Sequence, residues 1–316
     1  MSKVAIIGAG SVGATLAYNL TIKGVVSEIA LIDMNREKSE AEVLDIIHGM
    51  SLGQPVDVYA SDYAGCADAS IVVVTAGAKQ KPGETRIELL GRNTGLMRDI
   101  VLSVLASGFR GVFLVISNPV DILTYIAHRA ASQKEGYPAS RVIGSGTVLD
   151  SSRLREFLAQ RCGVNPMNIH GYVLGEHGDT SFPAWSLTSI GGASLAAFCP
   201  YCGKGCDPES LYAEAVEYVR AAAYKIIQAK GATYYAIAQA ASIIIQAIVR
   251  NERRILPVST VRVAFRGIER TAFSFPTIVG AGGAEKVLDL PLSAEDDEKL
   301  LKSARFVSSI IEESGL

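Results

Sequence analysis

Residues 3–13 read KVAIIGAGSVG. A short apolar run passes directly into Gly8-Ala9-Gly10-Ser11-Val12-Gly13, and helical spacing follows over 11–23. A glycine cluster alone is a weak sign, because plain turns collect glycines too. The order strand, G-x-G-x-x-G, helix is more specific. Gly8 permits the tight turn, Gly10 lets backbone approach a pyrophosphate, and Gly13 lets helix and strand pack closely. The helix N-terminus then offers free N–H groups and a positive dipole end to phosphates. About 20 residues further on, the run EIALID ends on Asp33. A carboxylate there accepts hydrogen bonds from both ribose hydroxyls and repels a 2′-phosphate, which favours NAD over NADP.

The same alternation continues outward. Apolar, β-branched runs at 28–33, 70–75 and 112–117 alternate with helical spacing at 36–50 and 86–108. Continuous apolar strands are those of a parallel sheet buried on both faces. The expectation is an α/β fold with a Rossmann-type doubly wound parallel sheet. Beyond Gly144 and Gly146 the pattern changes. Asp207 and Pro208 open a helix over 207–230 that Gly231 follows, with Leu211, Ala215, Val219, Ala222 and Ile226 as its buried stripe. A second helix covers 232–249, strands cover 255–265 and 268–275, and Ser293 caps a C-terminal helix. The reading is two domains, as 316 residues suggest: NAD-binding over 1–145, and an α+β substrate-binding catalytic domain over 146–316.

Composition narrows the classes. Net charge is 30 − 32 = −2, and the basic cluster Arg250, Arg253 and Arg254 lacks aromatic interleaving, so nucleic acid is not expected as a partner. No apolar run approaches the roughly 20 residues of a membrane helix, and no signal peptide is read. An odd count of five cysteines argues against a disulfide framework and for a reducing, cytoplasmic setting.

Four histidines are present, and His177 stands out in GEHGD at 175–179, where flanking glycines expose the ring. An imidazole near neutral pKa suits alcohol oxidation, which releases one proton with each hydride. The bland alternative is a surface-turn histidine. Asp150 and Arg153, in DSSRLR, are i and i+3 and share a helix face. The carboxylate can orient an imidazole, and the guanidinium fork suits a substrate carboxylate. From spacing alone they are also an ordinary helix salt bridge. The segment 77–93, GAKQKPGETRIELLGRN, follows strand 70–75 and so lies at the carboxyl end of the sheet, where ligands bind. Its glycines and Pro82 read as a mobile loop carrying Gln80 and Arg86.

These segments, with SNPVD at 117–121 and GATYYAIA from Gly231, resemble the lactate/malate dehydrogenase family in order and spacing over the whole chain. The resemblance implies roles. His177 is the proton acceptor and donor, Asp150 its orienting carboxylate, Arg153 the clamp on the substrate carboxylate, and Arg86 the group polarising the substrate carbonyl. Gln80, Asn118, Asp121 and Thr233 fall on the substrate side. Val12, Lys38, Tyr63, Gly77, Ala78, Asn118, Ser145 and Ile237 join Gly8, Gly10, Gly13 and Asp33 around NAD. In the family, glutamine at Gln80 goes with pyruvate and L-lactate, and arginine with malate. A neutral amide leaves oxaloacetate's second charge unpaired in a dry site. A malate or broader 2-oxo acid dehydrogenase is the near alternative, and a non-catalytic NAD sensor the distant one.

The resemblance further implies a homotetramer activated by fructose 1,6-bisphosphate. Arg155 lies two positions from Arg153, and His170 an odd number before His177, so on regular elements both point away from the site. They match the effector positions of bacterial members, where symmetry-related pairs would form a cationic pocket. Residues 198–207, FCPYCGKGCD, depart from the family pattern. Cys199, Cys202 and Cys206 lack an evident fourth ligand for a tetrahedral metal. A loop of free thiols is the reading, with metal binding or a redox disulfide as alternatives. The hydride chemistry needs no metal.

Overall fold

The computed structural model describes residues 2–50, 52–78 and 86–314, with the side chains of Arg86 and Ile87 also left out. Gln80 therefore lies outside the described residues, as does the Arg86 side chain.

Six strands, β1 (Lys3–Ile7), β2 (Glu28–Ile32), β3 (Asp57–Ser61), β4 (Ile71–Val74), β5 (Val112–Val115) and β6 (Val142–Gly144), run parallel in the order β3-β2-β1-β4-β5-β6. Each strand alternates its apolar residues between two cores. Val4, Ile6, Ile29, Leu31, Ile71 and Val73 face one, while Ala5, Ile7, Ala30, Ile32, Val72 and Val74 face the other. A fully buried side chain of the larger kind contributes roughly 1.5–3 kcal/mol. Helices α1 (Ser11–Lys23) and α2 (Arg36–Met50) cover the first face, and α3 (Arg86–Ala106) and α4 (Val120–Ala131) the second.

Helix α5 (Val148–Cys162) leaves this layer and enters a region of short strands. There β7 (Ile169–His170), β10 (Ser189–Ile190) and β11 (Ala193–Ser194) form one small sheet, and β8 (Val173–Leu174) and β9 (Phe182–Pro183) another. The apolar run 169–174 is thus two strands in different sheets, broken at Gly171 and Tyr172. No continuous strand joins His170 to His177, so alternation along the chain does not set which way His170 faces. Helix α6 (Leu195–Phe198) leads through residues 199–207 to α7 (Pro208–Lys230) and α8 (Tyr235–Val249). As the sequence suggests, the Asp207 side chain caps α7, accepting from Ser210 N at 2.9 Å. The stripe on α7 is fully buried only at Leu211, Ala215 and Val219. Beyond it Tyr224 and Ile227 are exposed.

Strands β12 (Arg254–Phe265), β13 (Ile268–Gly280) and β14 (Gly283–Val287) are antiparallel, and β12 joins β6 at Ser259 opposite Gly144. One nine-stranded sheet results. The C-terminal helix α9 (Ala294–Glu313) packs on β13, capped by Ser293. Among the described residues no helix is long and apolar enough to cross a membrane.

The tightest approach lies at the first turn after β1. A Cβ added at Gly13 would sit 1.9 Å from the Gly8 carbonyl oxygen, so α1 could not keep its seat on the strand. Gly13→Ala should therefore cost at least about 1–3 kcal/mol in urea unfolding, as overpacking does. An unchanged midpoint would show that α1 can shift without penalty.

Candidate active site

The carboxyl ends of the parallel strands make a cleft where the strand order reverses, between β1 and β4. Gly8 stands at one wall with a φ of 109°, held by Thr75 Oγ1, which donates to the Gly8 carbonyl at 2.9 Å. Gly10 is the N-cap of α1 and supplies no side-chain cap. A Cβ on Gly10 would meet nothing within 4 Å, so open ground lies over that helix end. An uncapped helix N-terminus facing open space fits a pyrophosphate. At the end of β2, Asp33 accepts from Ala9 N at 2.7 Å and from Asn35 N at 2.9 Å. Backbone donors thus fix the carboxylate beside the glycine turn.

The other cofactor-side residues distribute around this cleft. Ala78 N donates to Asn93 Oδ1 at 2.7 Å, which holds Gly77 and Ala78 at the end of β4. Ser145 is buried after β6 and Asn118 is exposed after β5. Val12 and Ile237 are partly buried against one core cluster, Ile237 on α8 where it crosses α1. Tyr63 is half-buried just after β3, and Lys38 is exposed in the first turn of α2. Thr233 is half-buried in the turn before α8.

A cluster of ionisable side chains forms where α5 meets the turn after β8. Asp150 Oδ2 lies 2.6 Å from His177 Nδ1, and Asp150 Oδ1 accepts from Arg153 Nη1 at 2.8 Å. The two readings of this pair are therefore both realised: it is a helix salt bridge and also the partner of an imidazole. The side chains of Asp150 and Arg153 are 7% and 11% exposed, whereas His177 keeps 28%, leaving its ring reachable. Burial alone would raise the Asp150 pKa, but His177 and Arg153 outweigh it and hold the carboxyl below its ordinary range. Burial alone would lower the His177 pKa. The charge and hydrogen bond of Asp150 reverse that and hold the imidazole above its usual value.

Asp121, expected on the substrate side, sits beneath the site. It is 2% exposed, and both oxygens are used: Oδ2 accepts from the His177 backbone N at 2.7 Å, and Oδ1 accepts from Ser259 Oγ at 2.5 Å. Burial pushes its carboxyl up to about 6, opposed by these two hydrogen bonds. A second network ties the same turn to α9. Ser303 Oγ accepts from Glu176 N at 2.7 Å and bonds Thr180 Oγ1 at 2.8 Å. Sequence reasoning did not single out Ser259 or Ser303. Their one signal is a hydroxyl among apolar neighbours, as in ILPVSTVRV at 255–263.

Arg155, further along α5, is half-buried beside Tyr172, and burial holds its pKa below the ordinary value. Among the described residues no carboxylate pairs with it. His170 is exposed on β7. The cysteines hold a surprise: Cys162, at the end of α5, joins Cys199, Cys202 and Cys206 in one packed cluster.

A dinucleotide-type glycine turn together with a histidine paired to a buried carboxylate is consistent with a nicotinamide-dependent oxidoreductase. Comparison with known proteins makes this specific. The model of the lactate/malate dehydrogenase NAD binding domain matches residues 2–144, and that of the family's alpha/beta C-terminal domain matches 147–315. The chain is 47% identical over 313 residues to the L-lactate dehydrogenase of Thermoanaerobacterium saccharolyticum, covering 99% of each. It is 43% identical over 315 residues to that of Clostridium perfringens, covering 100% of this chain and 98% of the relative. Among solved structures, a lactate dehydrogenase from a Medee basin deep-sea metagenome library superposes with a TM-score of 0.94 at 38% identity, over 100% of this chain and 99% of that one. The ligands-bound minor L-lactate dehydrogenase of Enterococcus mundtii gives 0.92 at 40% identity, over 99% and 98%. The chain belongs to the lactate/malate dehydrogenase family, and NAD is its cofactor.

Asp33 offers a direct check on the cofactor cleft. Asp33→Asn removes the charge while keeping the shape. The Kd for NADH should rise about tenfold, near 1.4 kcal/mol, while that for NADPH changes far less. Fluorescence titration with both nucleotides measures the ratio. An equal effect on both would remove Asp33 from ribose recognition.

Proposed function

We propose that this chain is an L-lactate dehydrogenase that interconverts pyruvate and L-lactate. The observation carrying the reading is one buried carboxylate, Asp150, bonded to both His177 and Arg153. With Nδ1 committed to Asp150, Nε2 of His177 is the atom that gives and takes the proton. A guanidinium has five N–H donors, so Arg153 keeps donors for the substrate carboxylate after bonding Asp150. Arg86, on motif grounds, polarises the substrate carbonyl, with Asn118 and Thr233 beside it. Asp121 and Ser259 act from beneath by fixing the His177 backbone. When bound at Gly8, Gly10, Gly13 and Asp33, the reduced nicotinamide supplies the hydride. Pyruvate is preferred to oxaloacetate on two grounds: Gln80 is a neutral amide, and the relatives named above are L-lactate dehydrogenases.

The reading extends to regulation and assembly. Arg155 and His170 would meet their symmetry mates in a homotetramer and bind the phosphates of fructose 1,6-bisphosphate. A half-buried guanidinium with no carboxylate partner among the described residues supports this, because an anion would satisfy it. The division into a cofactor domain over 1–145 and a substrate domain over 146–316 belongs to the same proposal.

NADH absorbance with pyruvate and with oxaloacetate, each with and without the bisphosphate, tests the assignment. Pyruvate should be reduced faster, and the bisphosphate should improve kcat/KM by about 5–150-fold, the usual span of a coupling free energy. Preference for oxaloacetate would overturn the substrate. Indifference to the bisphosphate would return Arg155 and His170 to structural roles.

The acid–base assignment has its own test. Pyruvate reduction needs protonated His177, and Asp150 raises the pKa of that ring. Reduction should therefore persist above the ordinary imidazole range and fall as pH rises through the raised pKa, while lactate oxidation gains there. Asp150→Asn should lower kcat/KM by about two to four orders of magnitude. It should also move the alkaline limb of reduction to lower pH. A pH profile that does not move would remove the pair from proton transfer.

A further inference from the structure

The four clustered cysteines lie outside the site described above, and their surroundings differ. Cys162 and Cys199 are 1% and 4% exposed, packed among Leu158, Leu195 and Leu211. Cys202 and Cys206 are partly exposed at the edge of that cluster. Cys202 Sγ accepts from Lys204 N at 3.4 Å. Gly203 and Gly205 make this possible, with φ of 65° and 64°, a conformation that other residues adopt at a cost. The backbone therefore turns the Lys204 amide onto one sulfur. Cys206 packs against the same cluster, and its Sγ donates to the Arg161 carbonyl at 3.3 Å.

The environment splits the two thiols by acidity. Backbone hydrogen bonds hold Cys202 below the ordinary thiol value, whereas burial and the neighbouring Cys202 sulfur raise Cys206. Burial pushes Cys162 up to about 12 and raises Cys199. Of the two neighbouring thiols, Cys202 is thus the more acidic and Cys206 the less. Attack followed by resolution needs this asymmetry. Among the described residues no group of three or more His, Cys, Asp or Glu side chains is arranged to hold a metal ion, so the cluster is not drawn together as a ligand set.

We propose that Cys202 and Cys206 are a redox-reactive dithiol that a hydroperoxide converts to a disulfide. The Cys202 thiolate attacks the peroxide, breaking its O–O bond, and becomes a sulfenic acid while an alcohol or water leaves with a proton. Cys206 then attacks that sulfur, and water departs. Two thiols and one peroxide become one disulfide, one alcohol or water, and one further water. The two electrons lost by sulfur reduce the peroxide.

The test uses the full-length protein and hydrogen peroxide. One equivalent should lower the titratable thiols of the unfolded protein from five to three, as one disulfide removes two. Tryptic peptides 162–204 and 205–220 should be found linked, with subdigestion placing the bond at Cys202. Cys206→Ser should abolish the link and leave Cys202 trappable by dimedone. Cys202→Ser should slow peroxide consumption by at least about tenfold, since the thiolate is the nucleophile. Its turnover with pyruvate should match the parent, which shows that it folds. Three results would overturn the proposal: five surviving thiols, the same link forming in Cys202→Ser, or purified protein carrying an equivalent of zinc that shields all four clustered thiols.

Discussion

A carboxylate buried almost completely must be compensated, and Asp150 is compensated twice. One oxygen takes His177 and the other takes Arg153. Removing either partner would leave one oxygen unpaired in a buried site, and breaking a buried ion pair costs about 3–5 kcal/mol. The surrounding architecture serves this one constraint. Asp150 and Arg153 are one turn apart on α5, so the helix fixes their separation. His177 arrives from another element, and its backbone is fixed from two sides, by Asp121 directly and through Glu176 by Ser303. Asp121 is in turn steadied by Ser259 from β12. A histidine on a glycine-flanked turn would otherwise wander. Here its ring and its backbone are held by α5, α4 and α9 together.

The parts of this arrangement that were legible in the sequence are those with a local signature. The first strand, its glycines and Asp33 form a contiguous pattern, and the long helices declare themselves by spacing and caps at Asp207 and Ser293. Strand β3, DVYAS, lies at the sheet edge and mixes polar with apolar residues, so its sequence carries no continuous apolar run. Strand β6 is three residues long, and hydrogen bonding to its neighbours, not its composition, makes it a strand. The run 169–174 looks like one strand by hydropathy and is two, because its halves pair with different partners. Periodicity reports burial, and burial does not say which neighbour provides it.

The same limit applies to the site. His177, Asp150 and Arg153 were legible because their types are chemically rare in such settings. Ser259 and Ser303 were not, since a serine's worth depends on what stands opposite it. Cys162 is the clearest case. It lies 37 residues before Cys199, and nothing along the chain links the two. Only the core cluster that α5 shares with Leu195 of α6 and Leu211 of α7 brings them together.

The junction of β6 with β12 has a consequence for modularity. Gly144 pairs with Ser259, so the cofactor half of the sheet finishes against strands drawn from the other end of the chain. A fragment ending near residue 145 would carry every cofactor-side glycine and Asp33. It would also present β6 as an open edge, a row of unpaired amides and carbonyls ready to recruit any passing strand. Such a fragment would keep the glycine turn and Asp33 but lack α8 with Ile237 and the strand that closes the edge of β6.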